Sequence, residues 1–195
     1  MTSTFVSGGE SVVSSPFVAP DVDAPRLSDI VSSPIGRLLL TGDGHALTGL
    51  WMLDADRHSA RVQEGLTLSP EPFTEVASQL EEYFAGDRQE FTVPLAPSGT
   101  PFQLAVWTQL TTIPYGSTVS YGDIARALGK RLVASRAVGL ANGANPISII
   151  VPCHRVIGAN GSLTGYGGGL DRKRSLLEME KTVKSGNLTL FDLDA

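Results

Sequence analysis

The one cysteine of this 195-residue chain, Cys153, sits in the stretch NPISIIVPCHRVIGANG (residues 145–161), between Pro152 and His154. A thiol beside a titratable imidazole can act as a nucleophile. A nearby proton acceptor raises the thiolate fraction, and the thiolate is the form that attacks carbon. The imidazole then needs a third group to fix its tautomer and receive positive charge, and Glu180, Glu178 and Asp171 are the candidates. A lone thiol after an apolar run is more often a small, inert core residue. The pair by itself leaves both readings open. One cysteine cannot close an internal disulfide or supply a Cys/His zinc site alone, and His45 and His58 are isolated, so no metal site is expected.

The segments around the pair must hold it in place. ISIIV (147–151) reads as a strand running into Pro152, which cannot donate to a ladder and should end it. Neighbours on a straight strand point to opposite faces, so Cys153 and His154 would meet only in a turn beyond Pro152 or through a bridging water. Upstream, TPFQLAVWTQLTTI reads as a helix with Phe102, Val106, Trp107 and Leu110 on one face, ending at Pro114. SYGDIARALG (120–129), capped by Ser120 with Asp123 three residues on, and LVASRAVGLANG (132–143) are two short helices about a tight turn, the form of a helix-turn-helix. The second of these is small-sided: Ala134, Ser135, Ala137, Gly139, Ala141 and Gly143 leave Arg136 as the one long side chain in its middle. A helix that reads bases projects several Arg, Asn, Gln or Lys side chains, so this composition argues against a sequence-specific repressor. Close approach to a minor groove and burial in a core with Arg136 reaching solvent both fit it. DRKRSLLEMEK (171–181) is a final amphipathic helix and carries Glu180.

The first half has no constellation of catalytic type. GRLLLTGD and ALTGLWML flank Gly42-Asp43-Gly44 as a β-hairpin. SPEPFTEVASQLEEYFAGD predicts a helix capped at Ser69, with Phe73, Val76, Leu80, Tyr83 and Phe84 on its apolar face and Gly86 at its end. EFTVPL (90–95) is expected to be a strand, and the Pro/Gly-rich PLAPSG (94–99) to be a joint. The predicted organisation is a disordered tail over 1–26, an α/β domain over 27–97, a second domain over 98–184 and a tail over 185–195. The chain is 42% apolar, lacks a run near the ~20 residues of a membrane span and has no secretory leader, so a cytoplasmic protein without a membrane partner is expected. Its net charge of −5 divides into −9 over residues 1–97 and +4 over 98–195. An anionic partner should therefore meet the second half.

IPYGSTVSYGDIARALG, ASRAVGLANGANP and IIVPCHRVIGANGSLTGYGGGLDRKRSLLEME together resemble the O6-alkylguanine-DNA alkyltransferases, closely over about residues 98–182 and more loosely over the acidic first half. The resemblance implies an α+β fold: a small ribonuclease H-like sheet-and-helix domain, then a helical domain with a winged helix-turn-helix. It implies direct repair of double-stranded DNA, by irreversible transfer of an alkyl group from O6 of a flipped-out guanine, and from O4 of thymine, to Cys153. No cofactor is implied. The partner would be bound through its minor groove with little sequence preference, by a monomer that is cooperative on DNA, in the cytoplasm or on a nucleoid.

On matching positions, the resemblance makes Cys153 the nucleophile, His154 its base through a water and Glu180 the group that orients His154. Asn145 would brace the turn before the thiol, and Tyr121 would donate a proton to the departing guanine. Arg136 would fill the stack when the nucleotide leaves. Ser120, Tyr121, Ala134, Ser135, Ala137, Gly139 and Arg155 would meet DNA, while Val156, Tyr166 and Gly167 would line the base pocket. Arg126, Lys130, Arg131, Arg172, Lys173 and Arg174 join Arg136 and Arg155 as candidate phosphate contacts. The single cysteine excludes the zinc ligands and fused phosphotriester-repair domain of some members, and Cys153 itself excludes the branch with tryptophan there. Gly167 replaces a serine of other members. Two rivals remain: a winged-helix regulator, which should carry more base-reading side chains, and a cysteine hydrolase, which should turn over and has no use for a basic helix pair.

Overall fold

The computed structural model describes residues 14–53 and 64–186, so His58, the tail residues 1–13 and most of the expected C-terminal tail lie outside the described residues. Leucine-rich segments build the first layer. β1 (Leu27–Val31), β2 (Leu38–Gly42), β3 (Leu47–Met52) and β4 (Thr67–Leu68) form a sheet of order β3-β2-β1-β4. β1, β2 and β3 pair antiparallel, and β4 joins β1 in parallel. The hairpin expected around residues 42–44 is present. The Asp43 carboxylate accepts from the amides of His45 and Ala46 at 2.8 and 2.7 Å, and Gly44 takes φ 92°, where a side chain would be strained. All five residues of β2 are buried, and Leu38, Leu40, Leu50 and Met52 share one core with Val76, Leu80, Tyr83 and Phe84 of α1 (Thr74–Ala85).

Three expectations for this half change. Ser69 does not cap α1; its hydroxyl donates to the Glu71 carboxylate, and a 3₁₀ turn (Glu71–Phe73) intervenes before the helix. EFTVPL is not a strand. Pro94 and Pro97 bring no N–H, Thr92 bonds instead to the Gln79 side chain at 2.8 and 3.0 Å, and only Leu95 bridges to Leu47. The described part of the leading segment also touches the body, for Phe17 packs on the core and the Val18 amide donates to Leu95 O at 2.9 Å. Gly86 closes α1 with φ 86°, as its position predicts.

The second half is helical. α2 (Pro101–Thr111) starts in a reciprocal capping box between Thr100 and Gln103, and α3 (Tyr121–Ala127) in one between Ser120 and Asp123. A 3₁₀ turn (Leu132–Ala134) leads into α4 (Ser135–Gly143), so α3 and α4 form the expected helix pair. β5 (Val119–Ser120) and β6 (Val156–Ile157) pair in parallel beside it, and α5 (Leu170–Lys184) is the last helix among the described residues. The Trp107 indole donates to Ala141 O at 2.8 Å and ties α2 to α4. Among the described residues no helix is long and apolar enough to cross a membrane.

ISIIV is the main correction. Proline at 146 and 152 and a left-handed Ile149 (φ 70°) coil this segment, and its amides bond back locally, Ile150 to Ser148 O and Val151 to Ile147 O. Only Ile147 bridges, to Leu50. That bridge joins the halves: Leu50 N donates to Pro146 O at 2.8 Å and Ser148 N to Leu50 O at 3.1 Å. Residues 94–96 occupy the same edge of β3 through Leu47, so the sheet edge is covered by the joint and by the coil that precedes the thiol.

The joint itself is tightly packed. A Cβ on Gly99 would lie 2.6 Å from the Trp107 ring, which is fixed by its bond to Ala141 and 1% exposed. Gly99→Ala should therefore cost about 1–3 kcal/mol of folding stability, read as a lower urea midpoint.

Candidate active site

A buried carboxylate organises the residues around the thiol. Glu180, on the inward face of α5, is 0% exposed and accepts from four directions. Its oxygens meet Tyr83 Oη at 2.8 Å, the Gly116 amide at 3.0 Å, His154 Nε2 at 2.8 Å, and Arg155 Nε and Nη2 at 2.9 Å each. Arg155 also donates to Ile113 O at 2.7 Å and stands over the Tyr115 ring. Gly116 reaches the carboxylate because its φ of 62° turns the amide inward, and a Cβ there would lie 2.9 Å from Glu180 O. Burial pushes the Glu180 carboxyl up, but His154 and Arg155 pull harder, and it rests well below the usual carboxylate range.

Cys153, His154 and Arg155 form one 3₁₀ turn rather than the end of a strand. His154 is completely buried. Burial lowers its pKa against the attraction of Glu180, and Arg155 and Lys173 push the same way, so the resting ring is neutral and shares its Nε2 proton with Glu180. Its Nδ1 is buried with no protein partner. Cys153 is 4% exposed. Burial raises its pKa, while the Asn145 side chain, the Lys173 charge and nearby amides pull it part of the way back. Asn145 spans the coil, donating to Val151 O at 2.7 Å and accepting from Ile147 N at 3.0 Å.

The thiol opens onto a cavity of about 260 Å³ that also contains Asn145, Tyr166, Gly167, Asn142 and Trp51. A larger cleft of about 790 Å³ lies behind Pro152 and Arg155, but neither Cys153 nor His154 lines it, so the chemistry belongs to the smaller one. Val156 does not line the cavity. It is fully buried, and its carbonyl accepts from Lys173 Nζ at 2.6 Å. Asn142 is a site residue that the sequence does not single out; its amide reaches Cys153 O at 3.4 Å from the last turn of α4. Trp51 comes from the N-terminal sheet, and no spacing in the sequence links it to the thiol.

The candidate DNA-facing residues divide. Arg136 and Ala137 are exposed on α4, Gly139 packs under the Tyr121 ring, and Ala134 and Ser135 are half-buried. Ser120 is occupied as the cap of α3, and Tyr121 Oη donates to Thr164 O at 3.1 Å. Two predicted phosphate contacts are corrected. Arg155 is turned inward onto Glu180, and Lys173 is 0% exposed with Nζ on Val156 O and Thr164 O. Buried side chains whose donors are engaged by internal acceptors have none to offer a phosphate at the surface. Arg172 is half-buried and donates to Ile35 O and Gly168 O, tying the two halves together. Arg126, Lys130, Arg131, Arg136 and Arg174 remain exposed.

Glu180→Gln keeps the shape and removes the charge, leaving Arg155 buried without its counter-ion; a loss of about 3–5 kcal/mol in urea unfolding is expected. The wild type should lose stability with acid. Both folded pKa values lie below the unfolded ones, so the unfolded chain binds more protons and acid favours it. Stability should begin to fall below His154's ordinary value of 6.5 and fall again below Glu180's of 4.5. In Glu180→Gln the second decline should shrink, as measured by urea midpoints from about pH 7.5 down to about 2.5.

Comparison with known proteins places both halves of the chain in one family. Residues 28–97 match the model of the 6-O-methylguanine DNA methyltransferase ribonuclease-like domain, and residues 101–182 that of the 6-O-methylguanine DNA methyltransferase DNA binding domain. The methylated-DNA–protein-cysteine methyltransferase of Mycobacterium tuberculosis is 56% identical over 162 residues, 83% of this chain and 96% of the relative. That of Methanosarcina acetivorans is 52% identical over 151 residues, 77% of this chain and 96% of the relative. The crystal structure of Mycobacterium tuberculosis OGT in complex with DNA superposes with a TM-score of 0.75 at 54% identity, covering 80% of this chain and 94% of that one. With both halves matched in order and the thiol set against a buried His-Glu pair, the chain belongs to the 6-O-methylguanine DNA methyltransferase family.

Proposed function

We propose that this protein repairs alkylated double-stranded DNA directly, taking the alkyl group of O6-alkylguanine onto Cys153 in a single irreversible step. The observation that carries this reading is the thiol's position, at the wall of a cavity and on the same tight turn as His154, which is buried against Glu180 of α5. Cys153 Sγ attacks the alkyl carbon, the S–C bond forms as the C–O6 bond breaks, and the electron pair stays with the guanine. His154 Nδ1, the nitrogen not engaged by Glu180, takes the thiol proton through a bridging water, and Glu180 balances the imidazolium. Tyr121 supplies a proton to the departing base, having first released Thr164 O. The thioether has no further leaving group, so each molecule acts once.

The target oxygen is paired inside a duplex and must be extruded to reach the cavity. α4 is suited to extruding it, since its small side chains permit close approach to a minor groove and Arg136 is free to occupy the vacated stack. Binding by backbone charge, through Arg126, Lys130, Arg131 and Arg174, gives little sequence preference. Asn145 keeps the coil before the thiol in register, and Tyr166 and Gly167 border the space the base enters. O4-alkylthymine presents the same kind of leaving group and is a second substrate. The protein acts in the cytoplasm as a monomer that binds cooperatively along DNA, with a sheet domain over 27–97, on which Phe17 and Val18 of the leading segment pack, and a reactive domain over 98–184.

Intact mass after mixing with a duplex containing O6-methylguanine tests this. One methyl per molecule on Cys153, saturating at one equivalent and absent from Cys153→Ala, is expected. Turnover would point to a hydrolase, and unmodified protein that still binds DNA to a regulator. Arg136→Ala should slow transfer from duplex by roughly 10–100-fold, because extrusion costs a few kcal/mol and loses its support, while slowing transfer from the free modified base far less. Equal slowing with both substrates would remove Arg136 from that role.

A further inference from the structure

The cavity at the thiol has two large aromatic side chains in its wall, one from each half of the molecule: Tyr166 and Trp51. Much of the remaining wall is small, with Gly143, Ala144, Gly165 and Gly167. We propose that Trp51 is a specificity-determining residue of this chain: an apolar wall that receives O6 substituents larger than methyl, aromatic ones above all. The inference rests on alkyl transfer to Cys153.

The position of the indole is tightly defined. Trp51 and Gly49 lie on one face of β3, and a Cβ on Gly49 would collide with the indole nitrogen and stand 3.1 Å from Cε2. Only glycine at 49 lets the ring fold back over its own strand. β3 is bonded through Leu50 to Pro146 and Ser148, the coil that runs on to Cys153. The next residue, Met52, packs so closely on Gly168 that a Cβ there would fall on its sulphur. Main-chain bonds before the ring and packing after it therefore set its place relative to the thiol. Its indole nitrogen is buried against Gly49, and the ring is the part of the side chain offered here as an apolar wall.

Methyl transfer draws less on that surface. A methyl group ends at the sulphur that receives it. A benzyl group extends beyond the reacting carbon, and the small side chains around the cavity leave it room to do so. Covering the indole removes apolar surface from water and adds an aromatic pair, both of which favour the larger substituent.

The test compares wild type, Trp51→Ala, Trp51→Leu and Trp51→Phe. Rate constants are measured by intact mass for O6-benzylguanine as the free base and for a duplex containing O6-methylguanine. Both reactions are expected to slow in Trp51→Ala, but the benzyl-to-methyl ratio should fall about three- to tenfold, the size of one lost aromatic contact. Trp51→Phe should recover most of the ratio. Trp51→Leu should lose it as Trp51→Ala does, and carries the comparison if the alanine variant does not fold. A second readout needs no destabilising change. The chain has two tryptophans, so benzyl transfer should alter the emission of the wild type and leave that of Trp51→Phe nearly unchanged. An unchanged ratio in Trp51→Leu, or a wild type whose emission ignores the benzyl group, overturns the proposal while leaving methyl transfer intact. Failure of the wild type to gain a methyl would instead overturn the alkyl-transfer reading on which it rests.

Discussion

A carboxylate cannot be taken out of water without compensation, and the manner in which Glu180 is compensated shapes most of this molecule. Ion burial costs several kcal/mol even after relaxation, so a fully buried Glu must collect donors. Glu180 collects them from four residues in three places: Tyr83 of α1, Gly116 of the turn before α3, and His154 and Arg155 of the reactive turn. Each donor fixes an element. α5 cannot move without breaking the bond to His154, and α1 of the first half is held to the same point through the Tyr83 hydroxyl. The group that orients the imidazole is thus also the place where the two halves are cross-linked.

This cross-link gives the N-terminal half a part in the site. β3 offers a free edge, and the coil before Cys153 takes it, with Leu50 bonded to Pro146 and Ser148. A coil containing two prolines and a left-handed Ile149 satisfies few of its own amides. Docking on a rigid sheet supplies the missing partners from one side, and Asn145 supplies them from the other. Arg172 closes the same seam, with bonds to Ile35 O in the first half and Gly168 O in the second.

Local signals are legible wherever local chemistry decides the outcome. Ser120 and Asp123 mark the start of α3, Gly86 ends α1, and the apolar face of α1 is the one its spacing predicts, because caps and periodicity depend on residues within a turn or two. The α+β class and the order of its two domains follow from the same signals and from resemblance. What escapes depends on distance. ISIIV has the composition of a strand, but prolines at both ends and contacts from β3 coil it. EFTVPL fails similarly, since its Thr92 amide donates to Gln79 and its Pro94 carbonyl accepts from Leu47 across the fold. Arg155 and Lys173 look like surface cations in sequence. Only their buried partners, Glu180 and the carbonyls of Val156 and Thr164, show that their charges are used inside. Trp51 is invisible in sequence for the same reason: a sheet residue becomes part of the site through a bridge roughly a hundred positions away.

The resting site holds its reactive pair without charge. Burial raises the Cys153 pKa and lowers that of His154, so before substrate arrives both are neutral and the thiol is a poor nucleophile. Moving the proton creates two charges in a dry interior, and the counter-charges for both are already in place. Glu180 faces the imidazolium, and Lys173, held by two carbonyls, lends its field to the thiolate. The indirect route proposed for that proton, which strand geometry alone would suggest, does not rest on a strand. It rests on the imidazole's orientation, with Nε2 committed to Glu180 and Nδ1 the nitrogen left over. A protein that can react once gains from such an arrangement. A permanently ionised thiol would be exposed to any electrophile that diffused in, whereas a neutral one spends itself only when the cavity is filled and proton transfer is coupled to bond formation.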